Sequence, residues 1–270
     1  MAAALGAGIG SSILVSQYPR AASREQPTRS GTWLSARRDP ATAEGLALSA
    51  ALVVTVGGGT LLALLTYLVR ANDVLLDGDS AVARWGHAHA SRISTIGLHV
   101  VTQLGGAPVI LGLAGILIAI ETRRLPSALQ VLFLLTVTLG NFLVTTALKA
   151  LIGRARPAFN PFAATLGPSF PSGHSTAAAA FYAAAALLLV RRRTRPARAL
   201  AAGVAVGVAV AVAGSRVLLD DHWLSDVIAG LALGWAWFAG CAIAFGGRML
   251  EFGVSLDGSG VGAYRGTSEP

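Results

Sequence analysis

Three short clusters hold the residue types that could do chemistry. The chain has one lysine against twenty arginines, and that lysine, Lys149, stands at the end of a long apolar segment. It opens the string Lys149-Ala-Leu-Ile-Gly-Arg154-Ala-Arg156-Pro157. The second cluster is Pro171-Ser172-Gly173-His174, and the third is Ser215-Arg216 followed by His222 and Asp226. Each lies where a hydrophobic stretch ends. Three cations, two histidines and a carboxylate gathered at the ends of apolar helices describe a catalytic site for an anion.

Each cluster has a physical reading of its own. Lys149 and Arg156 are seven residues apart, two turns if the helix continues, although Gly153 and Pro157 favour an end between them. Either way both heads reach one spot at the helix mouth. A lone cation there would be read as snorkelling toward headgroups, but three clusters together outweigh that reading. Pro171-Ser172-Gly173-His174 is a tight turn feeding a helix N-terminus, where unpaired N–H groups and the positive dipole end hold phosphate. Gly173 lets an anion approach the backbone, and Ser172 caps the helix or donates its hydroxyl. His222 and Asp226, four residues apart, share one helix face. There Asp226 accepts from one imidazole nitrogen, fixes the tautomer and leaves the other free to attack. Asp220 and Asp221 are expected as caps of that helix, one of them within reach of a motif arginine.

The elements that position these residues are membrane helices. The chain has 270 residues, 54% hydrophobic and 13% charged, with mean hydropathy +0.63, against roughly a quarter charged in a soluble domain. Apolar stretches of the roughly 20 residues needed to cross a bilayer run over 46–69, 93–120 with a bend at Gly105-Gly106, about 127–149, 171–190, 198–219 and 222–245. The fold expected is all-α, a polytopic six-helix bundle with its active site at outer-face helix ends. A short interfacial helix is expected over 79–90, and Phe159, Phe162 and Phe170 suit the interface. Residues 1–45 read as a disordered cytoplasmic tail, 46–246 as the membrane domain and 247–270 as a flexible cytoplasmic tail.

Charge orients the bundle. With the N-terminus in the cytoplasm, fourteen arginines fall inside and seven cations outside, as the positive-inside rule requires. Both termini are then cytoplasmic and all three clusters face outward. The net charge of +8 does not indicate nucleic acid, because the arginines sit in short loops rather than on a basic face interleaved with aromatics. The lone Cys241 permits no intrachain disulfide and reads as a small buried apolar residue.

The combined pattern Lys-x6-Arg-Pro, Pro-Ser-Gly-His, Ser-Arg-x5-His-x3-Asp resembles the type 2 phosphatidic acid phosphatase superfamily over roughly residues 46–246. Leu224 stands where many relatives have proline, and the stretch from Arg156 to Pro171 is short. Neither departure removes a motif residue. The resemblance implies that His222 attacks phosphorus to form a phosphohistidine, oriented by Asp226. It implies that His174 protonates the leaving oxygen and then activates water. Lys149, Arg156, Arg216, Ser172 and the Gly173 N–H would hold the three equatorial oxygens. No cofactor or metal is called for, because three cations already supply the positive charge and no carboxylate cluster near the motifs suits Mg²⁺.

The partners expected are the bilayer and a lipid phosphate: phosphatidic acid, phosphatidylglycerol phosphate, or a polyprenyl phosphate or diphosphate. A lipid phosphotransferase using the same phosphohistidine is the alternative, with a non-enzymatic lipid transporter behind it. His87 and His89, with Asp73, Asp77 and Asp79, raise a metal site as a rival reading, but with no third ligand at regular spacing they read as a solvated outer loop shaping the entrance. His99 is expected as a hydrogen-bonded interior histidine.

Overall fold

Runs of Ala, Leu, Val and Gly, with prolines kept to their ends, satisfy their backbone groups internally as lipid demands. A computed structural model describes residues 43–71, 74–89, 91–124, 128–158 and 165–251, among which every regular element is helical. In chain order these are α1 (Ala43–Ala71), α2 (Val74–His89), α3 (Arg92–Gln103), α4 (Ala107–Arg124), α5 (Ala128–Leu135), a π-helical turn (Thr136–Gly140), α6 (Asn141–Ile152), α7 (Gly173–Val190), α8 (Arg195–Leu218) and α9 (Leu224–Glu251).

Among the described residues, five stretches are long and apolar enough to cross a membrane: Leu48–Ala71, Ala128–Ile152, Gly173–Val190, Arg195–Leu218 and Leu224–Gly246. A sixth is the pair Ser94–Gln103 and Ala107–Arg123, bent by 45°. The protein is a multi-pass integral membrane protein, and the expected second span is the broken one. Its break lies at the expected glycines, where the Tyr182 hydroxyl donates to the Leu104 carbonyl (2.9 Å). The π-helical turn was not expected. It lies beside Trp237, whose indole N–H donates to the Thr136 carbonyl (3.1 Å).

α7 is the central helix, packed on α9 and α8, while α1 leans on α9 from outside. Between membrane helices, close packing rather than the hydrophobic effect supplies the attraction. Gly230 and Gly234, one turn apart on α9, let the first turns of α7 come against the backbone. A methyl on Gly230 would stand 2.7 Å from the Ser172 carbonyl oxygen, and one on Gly234 would meet the Thr176 carbonyl and lie 2.7 Å from Ala179 Cβ. This joint brings the second and third clusters together. Gly234→Ala is therefore expected to cost about 1–3 kcal/mol by overpacking, read as a lowered Tm in detergent micelles; an unchanged Tm would show that the joint can yield.

Several sequence readings are revised here. The helix at the membrane surface covers Val74–His89 rather than 79–90. Phe170 is buried against Leu65 and Ala229 instead of facing the interface, while Phe159 and Phe162 lie outside the described residues. His99 is exposed on α3 rather than interior. α1 begins at Ala43 and α9 runs to Glu251, inside the tails expected over 1–45 and 247–270; residues 1–42 and 252–270 of those tails lie outside the described residues. Cys241 is buried in a cluster with Phe133, Leu134 and Val137. At the end of the bundle away from the motifs, buried Glu121 pairs with Arg191 (2.7 Å) and ties α4 to the end of α7.

Candidate active site

All eight motif residues come to one end of the bundle. α6 stops because Gly153 turns into the left-handed region (φ 66°) and closes its N–H on the Lys149 carbonyl (3.0 Å). That turn carries Arg154 and Arg156 across the mouth of the helix. α7 begins at Gly173, so His174 lies in its first turn. Arg216 occupies the last turn of α8 and Asp226 the first turn of α9. His222 lies in the loop between them, its N–H donating to the Arg216 carbonyl (3.2 Å).

The geometry around His222 holds its ring in one orientation. Its ring is 2% exposed, with Nδ1 3.3 Å from Asp226 Oδ2. Asp226 also accepts from the Trp223 N–H (3.1 Å) and from Arg154 Nη1 (2.6 Å). An acceptor so fully engaged places the proton on Nδ1 and keeps a lone pair on Nε2, an acceptor for Arg156. Nε2 faces Arg156 Nη1 at 3.2 Å. Burial is the main reason the imidazole is pushed down to about 4; Asp226 opposes the shift, and Arg156 and Lys149 add to it. The ring is therefore neutral at every pH well above that value, as an attacking imidazole must be.

Around it lies a cationic cup. Arg156 donates to the Asp221 carbonyl (2.7 Å) and to the Gly167 carbonyl (2.9 Å). Burial pulls its guanidinium down from the usual range, offset by Asp221 and Asp226. Arg216 is 7% exposed and holds the Thr102 hydroxyl (3.0 Å) and Asp221 (3.0 Å). Its Nε is buried without a hydrogen-bond partner among the described residues, a donor left over for an anion. Lys149 Nζ donates to the Pro168 carbonyl (2.6 Å) and the Ser169 carbonyl (3.2 Å) and lies alongside Gly173. His174 completes the cup, with Arg216, His222, Arg156 and Lys149 as its neighbours. Its Nε2 would be 3.7 Å from a methyl on Gly106, so the break in the second span is what makes room for it.

Some roles differ from expectation. Ser172 does not cap α7 with its side chain; its Oγ accepts from Ser175 (3.0 Å), and its N–H joins the Asp226 carbonyl (3.0 Å). Asp220 and Asp221 are not helix caps, because α9 starts at Leu224. Asp221 is the one that meets a motif arginine, and burial raises its carboxyl while Arg216 and Arg156 hold it back. Asp220, at φ 56°, receives His87 Nδ1 (3.0 Å), and His89 stacks on Trp85.

Two residues escaped the sequence reading. Arg154 was counted only as an outer-loop cation, and Asp79 as part of a solvated loop. Asp79 is 4% exposed and pairs with Arg154 (2.8 Å); it also accepts from the Ser225 N–H (2.9 Å) and hydroxyl (2.5 Å). A signal existed. Asp79 falls in register with buried Ala83 and Gly86 on one face of α2, a place where an unpaired carboxylate is not tolerated.

The chain is similar to several known proteins. The sequence profile of the PAP2 superfamily matches residues 130–249. A lipid A 1-phosphatase of Rhizobium etli is 36% identical over 137 residues, 47% of this chain and 55% of that protein. One from Rhizobium johnstonii is 38% identical over 127 residues, 43% of this chain and 48% of the other. The chain thus spans about half the length of these curated relatives. The crystal structure of a transmembrane PAP2-type phosphatidylglycerolphosphate phosphatase from Bacillus subtilis superposes with a TM-score of 0.65 at 26% identity, covering 76% of this chain and 98% of that one. Residues 130–249, which carry every motif residue from Lys149 to Asp226, are thus the part of the chain that matches the PAP2 superfamily.

Proposed function

We propose that this protein hydrolyses the phosphate ester or diphosphate of a membrane lipid through a phosphohistidine on His222. One observation carries the reading. The unprotonated Nε2 of a buried imidazole, fixed from behind by Asp226, accepts from Arg156 inside a cup completed by Arg216 and Lys149. In the first half-reaction the Nε2 lone pair forms the P–N bond as the bond to the lipid oxygen breaks, and that oxygen takes a proton from His174. In the second, water gives a proton to His174 while its oxygen attacks phosphorus, and the P–N electrons return to Nε2. Lys149, Arg156, Arg216 and the N-terminus of α7 hold the equatorial oxygens throughout, supplying the charge stabilisation that carries such reactions.

The substrate is an amphiphile, because the cup opens at helix ends, where a headgroup phosphate lies while its tail stays in lipid. The names of the three relatives, which describe enzymes acting on phosphates of lipid A and of phosphatidylglycerolphosphate, support that class. The arginine bias supports a cup on the outer face with both termini in the cytoplasm.

The purified protein is expected to release phosphate from short-chain phosphatidic acid in EDTA, with inhibition by orthovanadate. A strict requirement for Mg²⁺, or indifference to vanadate, would overturn the reading. Adding a lipid or sugar alcohol and finding the phosphate on it would assign phosphotransfer instead.

A further inference from the structure

We propose that Asp79 and Arg154 are positioning residues of this site, forming with Asp226 a buried carboxylate–guanidinium–carboxylate chain that orients His222 and balances the charge on its ring during attack. The inference rests on the phosphohistidine reading and extends it to Asp79, which lies outside the residues matched to the superfamily.

The chain is continuous and buried. Arg154, with its side chain 9% exposed, sends Nη1 to Asp226 (2.6 Å) and Nη2 to Asp79 (2.8 Å). Ser225 closes the gap, accepting from Arg154 Nη1 (2.7 Å) and donating to Asp79. Asp79 also receives the Ser225 N–H in the first turn of α9, so a residue of α2 satisfies the helix end that carries Asp226. The Trp223 ring, 5.6 Å from the guanidinium, covers one side.

Charge counting gives the chain a task beyond tying α2 to α9. Two carboxylates and one guanidinium leave a net charge of −1 behind His222. As Nε2 bonds to phosphorus the ring becomes positive, and this field stabilises it. Neutralising Asp79 leaves an overall neutral pair, whereas neutralising Arg154 leaves two carboxylates. The two changes must therefore move the protonation of His222 in opposite directions. The other titratable or charged groups around His222 are Arg156 and Lys149, His174 on α7, Arg216 on α8 and Asp221 in its own loop, with His99 beyond Asp221. None of them is altered in these variants.

The test measures kcat and KM against pH for wild type, Asp79→Asn, Arg154→Gln and Arg154→Lys, with one lipid phosphate so that substrate ionisation is common to all profiles. Asp79→Asn is expected to lower kcat about 10- to 100-fold with KM within about threefold, by analogy with the loss of partners that orient a functional ligand, and to move the acid limb down by about half a pH unit or more. Arg154→Gln moves that limb up, and Arg154→Lys lowers kcat without moving it. Limbs shifting in the same direction, or Asp79→Asn within about threefold of wild type with its limb unmoved, overturn the proposal while leaving the phosphohistidine reading intact. A wild-type protein that forms no phosphoenzyme overturns both. Should Asp79→Asn not purify as a folded species, the contrast between Arg154→Gln and Arg154→Lys decides alone.

Discussion

Replacing His222 with alanine is expected to reduce phosphate release to background, a loss of at least about 10⁴-fold, the scale seen when a nucleophile acting within a catalytic unit is removed. The bundle should survive the change. Asp226 keeps Arg154 and the Trp223 N–H as donors, so no buried carboxylate is left bare. Initial rates on a lipid phosphate, run beside a thermal melt, separate lost chemistry from lost fold. The same variant distinguishes two roles for the imidazole. A nucleophile leaves no covalent phosphoenzyme when removed, and turnover stops. A base that merely activates water leaves a slow direct hydrolysis, so a folded alanine variant with several per cent of wild-type activity would refute covalent catalysis.

Arg216→Ala is expected to cost about 10³-fold in kcat/KM, at or slightly above what one oxyanion donor is worth. Two losses combine. The buried Nε that has no partner among the described residues is gone, and with it the cation that offsets the burial of Asp221. Arg216→Lys restores the charge without the planar fork that joins Thr102, Asp221 and an anion, and about 10²-fold is expected to stay lost. Vanadate inhibition should weaken in parallel, because the same donors would hold the trigonal oxygens. Unchanged vanadate inhibition in Arg216→Ala would show that this arginine supports the loop and not the anion.

The eight motif residues were legible because helix-end chemistry is local. Lys149 needs only the end of α6, and the Pro171-Ser172-Gly173-His174 turn declares a helix start by its own residues. His222 and Asp226 are four apart, so their contact follows from spacing. The break in the second span was legible for a similar reason, since Gly105 and Gly106 stand together in an apolar run. What could not be read was assembled from afar. Arg154 meets Asp79 across 75 positions, and nothing near either residue announces the other. Thr102 meets Arg216 across 114. Phe170 looked interfacial by type, yet it fills a gap between α1 and α9 that exists only once the bundle is built. The π-helical turn depends on where Trp237 falls on a different helix, and periodicity carries no trace of it.

The interrupted second span sets two demands against each other. A continuous helix over residues 94–123 would partition into a bilayer more readily than one bent by 45° at residues 104–106, where the N–H groups turn to i−3 carbonyls. Yet Thr102, just before the cut, steadies Arg216, while Gly105 and Gly106, within it, lie against His174. Substitutions that mend the helix would ease its biogenesis and crowd His174, the proposed general acid, at the same stroke. These few positions are thus where the chain trades ease of insertion for chemistry.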